Sequence, residues 1–370
     1  MTNWHIIQNI HQIDSPALLV YPNRVSQNIE SAIQTAGGID RLRPHVKTHK
    51  MGEVIRMHVE EYGITKFKCA TIAEAEMIAL NGGQDVILAH QPTDTKIPRL
   101  LKLMQVFPKI KWRTLVDNEA TARQLSKVCH AANLELNVLL DINNGYHRSG
   151  IKAGKTAIDL YRLVTELPHL EIGGLHVYDG HIHHGNFEER KDWAEQDFVQ
   201  VGEFLDGLKK VGLHVPLVVA GGSPTFPVHA ENQAVELSPG TYVFWDAGYG
   251  EAFPDMDFEP AALVMTRIIS VLDENRVCVD LGHKSIASEN PIHNRVRFLN
   301  FKVDKFLVHS EEHLVLQSPD AKTAKVGDIL YGVPFHICPT VALHEEAAIV
   351  EEGEVTQFWE VVARKRKISI

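Results

Sequence analysis

Within Arg43-Pro44-His45-Val46-Lys47-Thr48-His49-Lys50 a lysine stands between two histidines, at the end of a short strand-like run. Partial desolvation and neighbouring positive charge both favour the neutral, nucleophilic amine of such a lysine. The chemistry open to Lys47 is a Schiff base with a carbonyl or with pyridoxal phosphate; a solvated anion-binding patch is the plainer alternative. Gly221-Gly222-Ser223-Pro224-Thr225 follows an apolar run, and its paired glycines can turn backbone N–H groups toward an anion. A second Gly-Thr, Gly240-Thr241, comes just before Tyr242 at the end of the next segment. Together the two suit a phosphate; separately each reads as a tight turn.

Three more clusters carry polar chemistry. In Gly145-Tyr146-His147-Arg148-Ser149-Gly150 an arginine held between glycines can pair with a carboxylate or a phenolate, or simply occupy a surface turn. Tyr178-Asp179-Gly180-His181-Ile182-His183-His184 packs three histidines and an aspartate into seven residues, which suits proton transfer or metal binding, with a polar loop as the alternative. Tyr178 there can stack on or hydrogen-bond a ring. His336-Ile337-Cys338-Pro339 reads as extended strand, on which residues two apart point the same way, so His336 and Cys338 can share one cation. Imidazole plus thiolate suits Zn²⁺; a buried cysteine beside a structural histidine is the competing reading.

The elements that must position these residues follow from periodicity. Strand-like runs at 42–47, 66–71, 85–90, 112–117, 136–143, 172–178, 216–221 and 234–245 alternate with helix-period stretches at 73–81, 118–132, 155–166 and 188–211. Eight such runs separated mostly by helices predict a (β/α)8 barrel, with function gathered at the C-terminal ends of its strands. The polar clusters fall at those ends. After about residue 255 the runs become short, branched and turn-separated, which predicts an all-β region joined by a strand near 17–21. The expected division is a barrel over 20–255 and a β domain over 256–370, with 1–19 added to it.

Composition narrows the function classes. A net charge of −10 argues against a dedicated nucleic-acid binder. The first residues, Met1-Thr2-Asn3-Trp4-His5, lack a basic stretch followed by an apolar core, so no signal peptide is expected. No apolar run approaches the roughly 20 residues needed to cross a bilayer, so no membrane partner is expected. Four scattered cysteines with no Cys-x-x-Cys pair fit a reducing cytoplasm. The 21 histidines lean toward metal or proton chemistry.

Taken together, the motifs resemble the D-threonine aldolase and D-serine dehydratase group of fold-type III pyridoxal-phosphate enzymes. The resemblance runs from Asp14-Ser15-Pro16-Ala17 through Pro44-His45-Val46-Lys47-Thr48-His49-Lys50 to His336-x-Cys338. It implies an alanine racemase-like barrel with a C-terminal β domain, a homodimer, and a small D-amino acid as substrate. It further implies that Lys47 binds the cofactor and exchanges a proton at Cα, that Arg148 faces the phenolic oxygen and that Tyr178 lines the ring. Gly221, Gly222, Ser223, Gly240, Thr241 and Tyr242 would hold the phosphate. His336 and Cys338 would bind a divalent metal, Zn²⁺ first with Mn²⁺ or Mg²⁺ as alternatives, that meets the substrate's β-hydroxyl. One of His181, His183 and His184 would serve as the base. Cleavage of D-β-hydroxy-amino acids to glycine and an aldehyde is the leading expectation. Dehydration to a 2-oxo acid and ammonia comes second, because Cys338 pulls toward the dehydratases. An amino-acid racemase and a non-catalytic pyridoxal-phosphate-binding protein are the remaining readings.

Overall fold

A computed structural model describes residues 3–370 and divides the chain into two compact units. One holds 32–47, 52–240 and 365–370; the other holds the residues through Ser31 together with Thr48–Met51 and Thr241–Arg364. In chain order, strand β1 (Ala17–Val20) and helix α1 (Pro22–Ala36) come first.

The larger unit is built on parallel strands β2 (Lys66–Cys69), β3 (Asp85–Leu88), β4 (Lys111–Val116), β5 (Leu136–Asn143), β6 (Ile151–Lys152), β7 (Leu170–Val177), β8 (Val218–Ala220) and β9 (Glu236–Leu237). The sheet order is β2-β3-β4-β5-β7-β8-β9, with β6 beside β5. β4 and β5 are buried almost end to end, as a parallel sheet covered on both faces requires. The helices between them start where capping chemistry dictates: Thr71 accepts from the Glu74 amide, Asn118 from Thr121 and Asn186 from Glu189.

Closure of the sheet rests on residues 42–46. Arg43 N donates to Leu237 O (2.8 Å) and His45 N to Pro239 O (2.9 Å) on one side. Val46 N donates to Lys68 O (2.9 Å) and Lys68 N to Pro44 O (2.8 Å) on the other. This segment thus joins β9 to β2 and completes the alanine racemase-like, TIM-like barrel expected from the sequence. The first expected run, 42–47, is not a regular strand but makes isolated bridges at Leu42 and His45, and the eighth run and one helix also differ from expectation. The eighth run, expected over 234–245, is strand only at Glu236–Leu237, because Pro239 and Gly240 break it and Thr241–Val243 coils into a 3-10 turn. Helix Lys96–Val106 was also missed.

Beneath the closing segment, fully buried Arg43 pairs with Asp85 (2.8 Å) and Glu236 (2.7 Å). Lys66 bonds the second oxygen of Glu236 (2.7 Å), and Arg113 pairs with Asp85 (2.8 Å). Burial alone would push the Asp85 carboxyl up, but bonds and charge from Arg113 and Arg43 outweigh it and bring it from 3.8 to about 2. Its contribution is therefore full above pH 3.8 and lost as pH falls through about 2.

The second unit is mostly strand. β1 lies antiparallel to β10 (Ala262–Asp273) and parallel to β16 (Glu346–Glu351). β11 (Arg276–Val279), β13 (Lys305–His309) and β14 (Leu314–Gln317) extend the sheet beyond β10; β17 (Glu354–Glu360) flanks β16, and β12 (Val296–Phe298) pairs with β15 (Ile329–Pro334). Its core includes Leu19, Leu263, Met265 and Ala348.

Removing the fully buried arginine leaves Asp85 to Arg113 and Glu236 to Lys66 alone, and should cost up to about 3 kcal/mol. Arg43→Met is therefore expected to lower the denaturation midpoint markedly in urea, with the loss shrinking when Asp85 is also changed to Asn. An unchanged midpoint would show that the backbone bonds alone close the barrel.

Candidate active site

Lys47 follows the closing segment directly, so the strand pairing that seals the barrel also delivers this amine to the C-terminal end of the strands. The Lys47 amide donates to His45 Nδ1 (3.2 Å). Three cations surround one aromatic ring: Lys47 Nζ lies 6.0 Å, Lys68 Nζ 5.7 Å and Arg148 Cζ 4.7 Å from the centre of Tyr178. Arg148 is also 4.7 Å from the ring centre of Tyr146. Positive charge gathered over a ring's π-face is favourable, yet three cations repel one another and call for an anion among them.

The expected phosphate turn is built for close approach. Gly221 has φ +74, and a Cβ on it would stand 2.7 Å from His229 Cδ2. A Cβ on Gly222 would stand 2.9 Å from Tyr178 Cε2. The Gly240 amide donates to Ser223 Oγ (3.2 Å), which ties the two late turns together. Thr225 Oγ1 accepts from the Gly222 amide (3.3 Å) and donates to Asp179 (2.7 Å), whose other oxygen meets His229 Nε2 at 2.6 Å. Asp179 is buried; His229 and Thr225 hold its carboxyl low against the upward push of burial. A glycine-lined turn beside a cation cluster fits the phosphate and ring of pyridoxal phosphate.

The three candidate histidines separate. His181 Nε2 lies 2.6 Å from Asp197 Oδ2, and its ring stacks on Tyr146 at 5.7 Å, which in turn meets Tyr178 edge-on. His181 Nδ1 is buried without a hydrogen-bond partner among the described residues. His184 instead stacks on Trp193 (5.3 Å), and His183 is exposed. His181 alone joins the tyrosines that face Arg148.

In the second unit His336 and Cys338 do not lie on an extended strand, which corrects the sequence reading. β15 ends at Pro334, His336 caps helix Ile337–Leu343, and Cys338 stands in its first turn. Pro339 explains the change: the first turn of a helix needs no N–H there, whereas a strand ladder does. The two side chains still meet. Burial lowers the His336 pKa, but bonding to Cys338 and Glu289 and the charge of Asp246 raise it to about 9. Glu289 reaches His336 Nδ1 at 2.5 Å, and Thr48 Oγ1 lies 3.2 Å from Cys338 Sγ. A carboxylate on the far nitrogen of a histidine is the usual orienting partner of a metal ligand. No group of three or more His, Cys, Asp or Glu placed to hold a metal occurs among the described residues. Thr241 Oγ1 is 3.9 Å from Cys338 Sγ, and Tyr242 is fully buried. His49 Nδ1 engages the Met51 backbone at 3.1 Å.

Sequence reasoning missed Lys68, the buried Asp141–His176 pair (2.7 Å), His229 and Glu289. These partners are 35 to 50 residues apart, so no local pattern announces them. Only Lys66-Phe67-Lys68, two lysines on one face of a buried strand, left a signal.

An alanine racemase-like barrel with such a lysine site defines a class of pyridoxal-phosphate enzymes. Comparison with known proteins agrees. The model of the alanine racemase N-terminal domain matches residues 20–247, and that of a putative serine dehydratase domain matches 261–350. The chain is 27% identical to a 3-hydroxy-D-aspartate aldolase of Paracoccus denitrificans (strain Pd 1222), covering 95% of this chain and 92% of that protein. It is 26% identical to a D-threonine aldolase of Arthrobacter sp., covering 95% and 93%. The crystal structure of D-threonine aldolase from Filomicrobium marinum superposes with a TM-score of 0.87 at 27% identity, covering 95% and 96%. The chain belongs to the alanine racemase N-terminal domain family, within its D-threonine aldolase and D-serine dehydratase-like group, and is a pyridoxal-phosphate-dependent lyase.

Overpacking a tight contact costs about 1–3 kcal/mol. Gly222→Ala, which drives a methyl into Tyr178, is thus expected to weaken pyridoxal phosphate binding roughly tenfold or more in an absorbance titration. Unchanged affinity would mean that the ring has room to yield.

Proposed function

We propose that the chain cleaves D-β-hydroxy-amino acids to glycine and an aldehyde. The observation that carries this reading is the His181–Asp197 dyad, stacked on Tyr146 beside the Arg148–Tyr178 pair. It supplies what aldol cleavage needs and dehydration does not, a base for the β-hydroxyl proton. The two aldolases it resembles over 95% of its length support the same choice.

Lys47 would hold pyridoxal phosphate, with Gly221, Gly222, Ser223, Gly240, Thr241 and Tyr242 around its phosphate, Arg148 toward its phenolic oxygen and Tyr178 against its ring. When bound, that group supplies an electron sink for the pair left at Cα. His181 Nδ1 takes the hydroxyl proton while Asp197 fixes the imidazole's orientation through Nε2. The Cα–Cβ bond then breaks, the aldehyde leaves, and Lys47 returns a proton to Cα to give glycine. His336 and Cys338, oriented by Glu289, would hold a divalent cation, zinc by donor type, as a Lewis acid for the hydroxyl.

Dehydration is the second reading, favoured by the His336–Cys338 pair and by the serine dehydratase domain match over 261–350. There Lys47 removes the Cα proton and hydroxide leaves from Cβ.

Incubation with D-threonine and with D-serine separates the two. Glycine and acetaldehyde from D-threonine are expected, with activity lost on chelation and restored by zinc. A 2-oxo acid and ammonia as the main products would transfer the proposal to dehydration, and neither product set would overturn both. Full activity after chelation would remove the metal from the account.

A further inference from the structure

Lys68 lies on β2 with its side chain buried inside the barrel. It pairs in register with Ile87 on β3, which belongs to an apolar layer with Leu115, Leu139 and Val219. From that layer its amine reaches the Tyr178 ring, with Nζ 5.7 Å from the ring centre, where Arg148 Cζ stands at 4.7 Å. The carboxylates that act on it are already engaged. Asp179 bonds His229 (2.6 Å) and Thr225 (2.7 Å), and Asp141 bonds His176 (2.7 Å) and Ser149 (2.8 Å). Among the described residues no hydrogen bond or ion pair holds the Lys68 amine. Burial first, then the charge of Lys47, bring its pKa from 10.5 down to about 7 against the pull of both aspartates. A leucine would fill this layer at less cost, because burying an ammonium without a paired anion is unfavourable.

We propose that Lys68 is a further cofactor-binding residue, which donates together with Arg148 to the phenolic oxygen of pyridoxal phosphate lying against Tyr178. The layout of the site matches the layout of that molecule. A Cβ on Gly222 would stand 2.9 Å from Tyr178 Cε2, so the proposed phosphate turn meets one edge of the ring, while Lys68 and Arg148 gather over its face. In pyridoxal phosphate the phosphate arm and the phenolic oxygen likewise sit on opposite sides of the pyridine. An ionised oxygen between the two side chains gives Lys68 the counter-ion that Asp179 and Asp141 do not supply, and it turns the repulsion between two neighbouring cations into two charge-assisted bonds.

The inference rests on the reading that this site holds pyridoxal phosphate on Lys47. The test compares two ligands in absorbance titrations of the full-length chain freed of cofactor: pyridoxal phosphate, and its deoxy analogue that lacks the phenolic oxygen. Lys68→Met is expected to weaken pyridoxal phosphate binding roughly ten- to hundredfold and to leave the affinity for the deoxy analogue nearly unchanged. Lys68→Gln serves in place of Met if the latter does not fold, with the same inequality expected. Equal losses for the two ligands would reduce Lys68 to a packing role, and a loss for neither would remove it from the site; either result would overturn the proposal. A wild-type chain that binds no pyridoxal phosphate, or a borohydride-reducible adduct that survives Lys47→Ala, would instead overturn the underlying reading.

Discussion

Four backbone hydrogen bonds on the flanks of residues 42–46 hold the site together. A parallel barrel closes only if its last gap is filled by a segment that bonds both edges, and here that segment is too short and too proline-marked to form a regular strand. It is stabilised from below by fully buried Arg43, whose guanidinium answers Asp85 and Glu236 on opposite sides of the gap. The arrangement fixes register as well as closure. One residue of slip would turn Arg43 outward and carry Lys47 to the other face.

From that constraint the electrostatics follow. Closure brings Lys47 beside Lys68, and the loop after β5 adds Arg148 above Tyr178. The barrel interior balances this charge with carboxylates that are themselves held by histidines, Asp141 by His176 and Asp179 by His229. Each aspartate is thereby kept anionic at depth without neutralising the lysines. The excess positive charge is left for a ligand bearing phosphate and carboxylate, which is the charge pattern of pyridoxal phosphate and an amino acid. At 221 and 222, the glycines of the proposed phosphate turn, a Cβ would collide with His229 and Tyr178.

Much of this was legible in the sequence, and for a physical reason. Parallel strands buried on both faces must be apolar runs, and polar residues clustered at their ends have little to do but chemistry, so Lys47, Arg148, Tyr178 and Gly221-Gly222 stood out. What was not legible depends on contacts between distant segments. His229 has no neighbour in sequence that explains it, because its partner Asp179 lies 50 residues earlier. Lys68 looked like an ordinary charged strand residue until its burial was known. The His336–Cys338 spacing suggested a strand because residues two apart share a strand face. In the structure a capped helix brings the two together by another route, with Pro339 placed where a helix tolerates it. Among the three histidines at 181 to 184, only packing against Tyr146 or Trp193 separates their roles.

The central claim is that closure of the barrel makes Lys47, rather than its buried neighbour Lys68, the residue that holds pyridoxal phosphate. Borohydride reduction of the loaded enzyme, followed by proteolysis and mass spectrometry, tests it directly. The account predicts the reduced cofactor on the peptide containing Lys47, and a label found on Lys68 or on no lysine would contradict it.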